Sequence, residues 1–148
     1  MYHLDEKPGV YEKKAIFAPE KEKTMKEAIV LFIGGGAGSL LRYGAQVLLH
    51  ERIHPYSFPW STFSVNLIGS FLIGLFYALA ERYHLSAETR LALTTGLCGG
   101  FTTFSTFSHD CLQMLRQGYV GPFLLYALVS LVLGIIAVWA GGTLGDPS

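Results

Sequence analysis

The 148-residue sequence has few charged side chains, and most of them lie at one end of the chain. Charged residues make up 15% of the sequence, whereas soluble domains carry about 25%. Residues 1–27 hold twelve of the twenty-two, so the remaining 121 residues hold only ten, mostly at the edges of long apolar runs. A soluble domain of this size does not need such runs. The distribution predicts an integral membrane protein.

Other scarce features exclude further classes of protein. The net charge is zero, so no basic excess indicates a nucleic-acid partner. The two cysteines, Cys98 and Cys111, share one predicted helix. They are about 20 Å apart along its axis, too far for an intrachain disulfide. No zinc or redox spacing occurs, and no nucleophile, base and orienting group can be assembled, so we expect no enzyme activity.

What the sequence has in abundance is apolar runs long enough to span a bilayer, which takes about 20 residues in a helix. Four such runs occur, at 28–49, 60–80, 89–115 and 122–141. Their short connections favour antiparallel neighbours. We therefore predict an all-α integral membrane protein whose four transmembrane helices form one membrane domain over residues 25–148.

Residues 1–24 differ in composition, being polar and of alternating charge with Pro8, Gly9 and Pro19. We expect this segment to be a disordered or surface-lying extension, and Met25 resembles a natural start. With the extension, the side of the N-terminus and the second connection carries eight Lys and Arg against two on the other side. That bias predicts a fixed orientation. A chain starting at Met25 has three against two, which would allow insertion both ways.

The third run contains the unusual stretch GLCGGFTTFSTFS, residues 96–108. Gly96, Gly99 and Gly100 fall within five residues, and each costs up to about 1 kcal/mol in a helix interior. We predict a glycine-broken third helix. A break at membrane depth is tolerated only inside protein or beside water, and the carbonyls that it frees are a recurring way of holding sodium or potassium.

The residues after the predicted break suit a small anion. Phe104 and Phe107 are one helical turn apart, and the edge of a phenyl ring carries the positive end of its quadrupole. Mere packing of the two rings is the commoner alternative. Neutral hydrogen-bond donors are available nearby to replace water: Asn66, Ser105, Thr106, Tyr126 and Ser130. Few charges suit conduction, because binding must be weak enough for release.

Several polar residues have two readings that spacing alone leaves open. Arg42 could attract an anion into a vestibule, or it could bind a carbonyl or an acid and pin helices. Asn66 could link helices or line a pore. His109 and Asp110 fit ordinary interfacial placement better than catalysis. Glycine and serine at four-residue spacing in the first two helices, such as Gly34 and Gly38, favour close helix packing.

Three stretches together resemble a known family: FIGGGAGSLLRYG (32–44), NLIGSFLIG (66–74) and GLCGGFTTFSTFS. They are similar to the Fluc/CrcB fluoride channels, small four-helix membrane proteins of bacteria, over about residues 26–142. The resemblance implies an antiparallel, dual-topology homodimer in the bacterial inner (cytoplasmic) membrane. Two pores would run along the subunit interface and export fluoride passively, which reduces its toxicity.

The resemblance also implies roles for individual residues. Phe104 and Phe107 match the pore phenylalanines that contact fluoride edge-on, and Asn66 matches the pore asparagine. Tyr126 and Ser130 match the start of a polar track on the fourth helix, and Arg42 matches an arginine near the pore entrance. The main-chain carbonyls of Gly99 and Thr102, taken twice across the dimer, match the ligands of a central structural Na+.

Two departures from the family pattern concern Asp110, where many relatives carry Glu, and the fourth-helix stripe, which continues from Ser130 to Gly134 and Val138. The alternative function is a small four-helix multidrug exporter. That class needs a membrane-embedded carboxylate in the first helix, and no acid occurs between Glu27 and Glu51. A non-transporting assembly factor would not explain the Phe, Thr and Ser clustered at the break.

Overall fold

The computed structural model describes residues 10–49 and 58–146, with side chains from residue 21 onward within these ranges. Every regular element in this part of the chain is helical, which confirms the all-α prediction. In chain order the elements are α1 (Val10–Leu48), α2 (Trp60–Arg82), α3 (Ala87–Leu91), a π-helical segment (Ala92–Cys98), α4 (Gly99–Phe101), α5 (Phe104–Arg116) and α6 (Val120–Gly145). We refer to the elements from α3 through α5 together as the broken helix.

Three helices of the described ranges are long and apolar enough to cross a membrane: Lys21–Leu48 within α1, then α2 and α6. The fourth span predicted at 89–115 is divided among the pieces of the broken helix. Its longest piece, α5, has 13 residues, or about 20 Å against a hydrocarbon core of about 30 Å. The pieces would therefore have to cross together.

The position of the interruption corrects the sequence analysis. Gly96 lies in the π-helical segment, and Gly99 is helical with φ −63° and ψ −38°. The chain leaves the helix three residues later, at Thr102 (φ −80°, ψ 159°) and Thr103 (φ −151°, ψ 115°). Threonine is β-branched and favours extended backbone. The glycines lower helix stability here, but the two threonines form the break.

Glycines elsewhere in the chain allow helices to pack closely. A Cβ on Gly34 would lie 2.7 Å from the Ala92 carbonyl oxygen, and one on Gly38 would overlap the backbone of Leu97. On the other side of the molecule, Gly74 and Gly141 bring α2 and α6 together, because a Cβ on either would meet backbone of the opposite helix. These contacts are the small-residue packing expected between membrane helices.

The N-terminal extension is partly helical in the structure. Its helix α1 begins at Val10, within residues 1–24, for which we expected a disordered or surface-lying extension. Ion pairs one turn apart support the helix where side chains are described, with Lys26 Nζ 2.8 Å from Glu22 Oε1 and Lys23 Nζ 4.0 Å from Glu27 Oε1. Residues 1–9 lie outside the described ranges, so the prediction for the whole segment stays a prediction.

The outer faces of the long helices are apolar and uncovered. Only 6% of the most apolar 18-residue stretch of α6 is buried inside the chain. Side chains such as Leu128, Leu131 and Ile135 are exposed. An apolar surface of this extent needs lipid or another protein against it.

Candidate functional site

The break in the third span has its own hydrogen-bonding pattern. Both the backbone N–H and the hydroxyl of Thr102 donate to the Cys98 carbonyl, each at 2.9 Å, which ends the preceding helix. The Thr103 hydroxyl then accepts from the Thr106 N–H at 3.3 Å and so caps the start of α5. A hydroxyl at this position is a usual N-cap. The two threonines thus end one helix and begin the next.

Asn66 on α2 holds the extended backbone from across the bundle. Its Nδ2 donates to the Thr103 carbonyl at 3.0 Å, and its Oδ1 accepts from the Thr103 N–H at 2.8 Å. We call this pair of bonds the Asn66 bracket. The bracket satisfies both backbone polar groups of a residue that has left the helix, which is required of irregular backbone at membrane depth.

The Asn66 bracket also changes which hydrogen-bond donors reach the carbonyls of the preceding helical turn. In an uninterrupted helix the Thr103 N–H would donate to Gly99, and the Thr106 N–H would donate to Thr102. Both donors are turned elsewhere, to Asn66 and to the Thr103 hydroxyl. The break therefore deprives the Gly99 and Thr102 carbonyls of their helical partners.

Arg42 on α1 supplies one replacement. Its Nη1 donates to the Thr102 carbonyl at 3.3 Å, and the hydroxyl of Ser39, one turn earlier, lies 3.5 Å from the Gly100 carbonyl. Arg42 therefore contacts a carbonyl at the break, and this is the kind of contact that the pinning alternative describes. It is not among the side chains that line the groove described next.

A groove of about 550 Å³ lies beside the break, between α2, α6 and the start of α5. No residue that lines it carries a formal charge. The lining consists of Asn66, Gly69, Ser70, Ile73, Thr102, Thr103, Phe104, Phe107, Ala127, Ser130 and Leu131. Four predicted site residues, Asn66, Phe104, Phe107 and Ser130, thus meet along one groove, as does Thr102.

The two phenylalanines line this groove but differ in their surroundings. Phe104 is 80% exposed, whereas Phe107 is partly buried and packs against Tyr126 with ring centroids 5.1 Å apart. The centroids of Phe104 and Phe107 are 5.8 Å apart, with their planes tilted by 34°. Packing explains Phe107 in part, and within the chain it does not explain Phe104.

The two predicted residues of α6 are placed differently. Tyr126 is fully buried and packs edge-on against Phe58 with centroids 5.2 Å apart, so its ring supports the wall and does not form it. Ser130 lines the groove directly. Its hydroxyl oxygen is buried and has no hydrogen-bond partner among the described residues. A buried hydroxyl without a partner is costly in a structural role and suits a site that receives a ligand.

The remaining predicted donors gather around the helix cap. The hydroxyls of Ser105 and Thr106 lie 3.2 Å and 3.0 Å from the Thr103 hydroxyl. Neither side chain lines the groove. Their nearest role is to hold Thr103, which makes that cap better anchored than a single hydroxyl would be.

Thr103 is a residue of the groove lining that the sequence analysis did not assign to the site. The signal that could have found it is the N-cap pattern, a threonine followed directly by the helical residues that carry the aromatic pair. Its contact with Asn66 joins positions 37 residues apart and leaves no trace in local spacing. Midway along α5, His109 Nδ1 lies 4.0 Å from Asp110 Oδ1, and neither residue lines the groove.

Fold and groove together define a multi-pass helical membrane protein with an uncharged, partly polar cleft at a broken span. A sequence model of the family described as "CrcB-like protein, Camphor Resistance (CrcB)" matches residues 29–142. The chain belongs to this family. The resemblance seen in the three stretches is thereby confirmed, as is the predicted multi-pass placement in a membrane.

Relatives in several bacteria bear the name "Fluoride-specific ion channel FluC". That of Bacteroides fragilis is 55% identical over 124 residues, which cover 82% of this chain and 98% of the relative. The relative of Phocaeicola vulgatus is 50% identical over 79% of this chain and 96% of its own length. That of Thermus thermophilus is 47% identical over 82% and 96%. These names denote ion channels, which are transport proteins and not enzymes.

Proposed function

We propose that this chain forms a passive, fluoride-selective channel that lets cytoplasmic fluoride leave across the inner membrane. The observation that carries the proposal is the groove in which both phenylalanines, Asn66 and Ser130 meet without one formal charge in the lining. Family membership and the names of the relatives support it. The driving force would be the fluoride gradient itself, since neutral HF crosses lipid and ionises in the more alkaline cytoplasm.

The groove suits a small, strongly hydrated anion for physical reasons. Phenyl edges offer weak positive potential without a fixed charge, and the Ser130 hydroxyl can donate to an anion in place of water. The Asn66 amide has a second N–H beyond the one in its bracket. Each donor is neutral, so binding stays weak enough for the ion to leave. Arg42, at the break and outside the groove, would add a favourable long-range potential.

We further propose that two copies assemble as an antiparallel, dual-topology homodimer with two such pathways at the interface. The groove is open along one side of the chain, and the helices around it present uncovered apolar faces. A second copy would close the groove and cover part of that surface. The lysine and arginine count over residues 25–148 allows insertion in both orientations, whereas the extension opposes it.

A structural Na+ fits the donors that the break provides. The described residues contain no group of three His, Cys, Asp or Glu that could hold a metal, so a cation would need carbonyl oxygens. The carbonyls of Gly99 and Thr102 are the ones that lost their helical donors, and the Thr102 carbonyl keeps a second lone pair beside its bond from Arg42. We propose that they hold Na+ jointly with the same pair from a second copy, which would lock the two subunits together. Carbonyls at a broken helix are a known kind of sodium ligand.

The test is ion efflux from liposomes that contain the purified full-length protein. Fluoride should leave rapidly while chloride, in matched vesicles, stays inside. Equal efflux of both anions would refute selectivity, and no efflux of either would refute the channel. Efflux that needed a proton gradient, or export of a cationic drug in place of fluoride, would instead support the exporter alternative.

A further inference from the structure

Beyond the role of anion donor, we infer that Asn66 is a positioning residue: its bracket on Thr103 sets where α5 begins and so where the aromatic pair stands. The inference deepens the proposed function, on which its consequence for conduction rests. The bracket itself is a property of the folded chain. It can therefore be tested without any fluoride present.

The first step of the argument is that Asn66 uses both faces of its amide on one residue. Oδ1 accepts from the Thr103 N–H at 2.8 Å and Nδ2 donates to the Thr103 carbonyl at 3.0 Å. Two bonds to one peptide residue fix both the position and the rotation of that residue. A pore-lining donor alone would need neither contact.

The second step is that Thr103 controls the start of α5. Its hydroxyl accepts from the Thr106 N–H and lies 3.0 Å from the Thr106 hydroxyl, while Phe104 is the first residue of the helix. Moving Thr103 therefore moves Phe104 directly. Phe107 follows one turn later, where it packs against Tyr126.

The third step is that nothing else in the described chain holds Thr103 in the same way. Arg42 on α1 contacts the same peptide unit, but it does so through the Thr102 carbonyl and not through a polar group of Thr103. The Thr103 hydroxyl bonds within α5 only. The bracket is thus the bond from α2 to the backbone at the start of the helix that carries the rings.

The experiment places 4-fluorophenylalanine at position 107 in the full-length protein and records its fluorine resonance in chloride buffer without fluoride. Asn66→Asp keeps the acceptor and loses the donor, and Asn66→Leu loses both. The resonance should shift and broaden in Asn66→Asp and more so in Asn66→Leu. Loss of one net hydrogen bond moves the equilibrium about fivefold toward the released arrangement.

Ser70→Ala is the matched control, since Ser70 lies one turn along the same face of α2 and lines the same groove. It should leave the resonance unchanged. A second measurement leaves Asn66 intact and replaces the Thr103 peptide N–H with an ester oxygen. This substitution should reproduce the shift of the Asn66 variants, and it keeps the test decisive if Asn66→Leu does not fold.

The inference is overturned if the Asn66 variants and the ester all give the resonance of the parent protein. In that case a loss of fluoride efflux in Asn66→Asp would mean that Asn66 acts on the anion alone. If the parent protein conducts no fluoride but the resonance shifts as expected, the proposed function fails and the positioning role stands.

Discussion

Different interactions hold the two halves of the molecule, which are the α2–α6 pair and the broken helix packed against α1. The α2–α6 pair consists of two uninterrupted helices whose backbones touch at Gly74 and Gly141. The broken helix also packs on glycines, but its two extended residues are tied to the bundle by the side chains of Arg42 and Asn66. The comparison teaches that a lipid-buried bundle can hold shape by contact alone where backbones are helical. Where they are not, it needs polar side chains.

The largest effect should come from breaking the contact-held pair. A Cβ at position 141 would overlap the Phe71 carbonyl oxygen, whereas one at position 142 has nothing within 4 Å. We expect Gly141→Ala to force the helices apart and cost about 1–3 kcal/mol. Thermal unfolding in detergent would measure it, with Gly142→Ala as the control. Equal melting temperatures for the two variants would contradict the packing.

The second effect concerns conduction with little effect on stability. Phe104 is 80% exposed within the chain, so Phe104→Ala should leave unfolding almost unchanged. It should lower fluoride efflux about fivefold, because the anion loses a ring edge worth roughly 1 kcal/mol. Phe32, which is 83% exposed and lies outside the groove, supplies the control. Normal efflux in Phe104→Ala would remove the ring from the pathway.

The third prediction concerns the broken helix, which depends on polar contacts. If the Gly99 and Thr102 carbonyls hold Na+, replacing sodium with a bulky organic cation should lower the melting temperature and favour dissociation of the dimer. At sodium about a hundredfold above its Kd, the loss would approach 3 kcal/mol if nothing else binds, and a few degrees are expected at partial occupancy. A melting temperature independent of sodium would argue against the ion. Light scattering would report the subunit state.

The smallest effect concerns Ser130. Removing its hydroxyl should leave the stability of the protein unchanged or raise it, while fluoride conduction falls. The Ser130 hydroxyl oxygen is buried without a hydrogen-bond partner in the described residues. Ser130→Ala should therefore be neutral or stabilise by up to about 1 kcal/mol, while fluoride efflux falls severalfold through the lost donor. Ala127→Ser, on the same groove wall, is the reverse control. Lower stability with unchanged efflux in Ser130→Ala would assign the hydroxyl to structure.

The sequence predicted the helical class and the approximate spans, because apolar length and the scarcity of charge report directly on a bilayer. Of the eight residues predicted for the pathway, four line the groove, and the spacing of Phe104 and Phe107 survives in any helix. The sequence analysis misplaced the break, because glycine propensity is local whereas the extended form of Thr103 depends on Asn66, 37 positions away. Tyr126 was predicted as a donor in the pathway, and its contacts with Phe58 before α2 and Phe107 in α5 join residues far apart in the sequence, so local spacing carries no sign of them.

The groove that runs along one flank of the chain has a consequence for the life of a single copy. A groove with one wall missing gives an ion no continuous hydrated path. If the proposed dimer is the channel, a newly inserted single copy does not conduct. Leakiness would arise only when another copy supplies the missing wall. Pairing would then be the step that turns the protein on, and the cell would avoid stray currents without a dedicated plug.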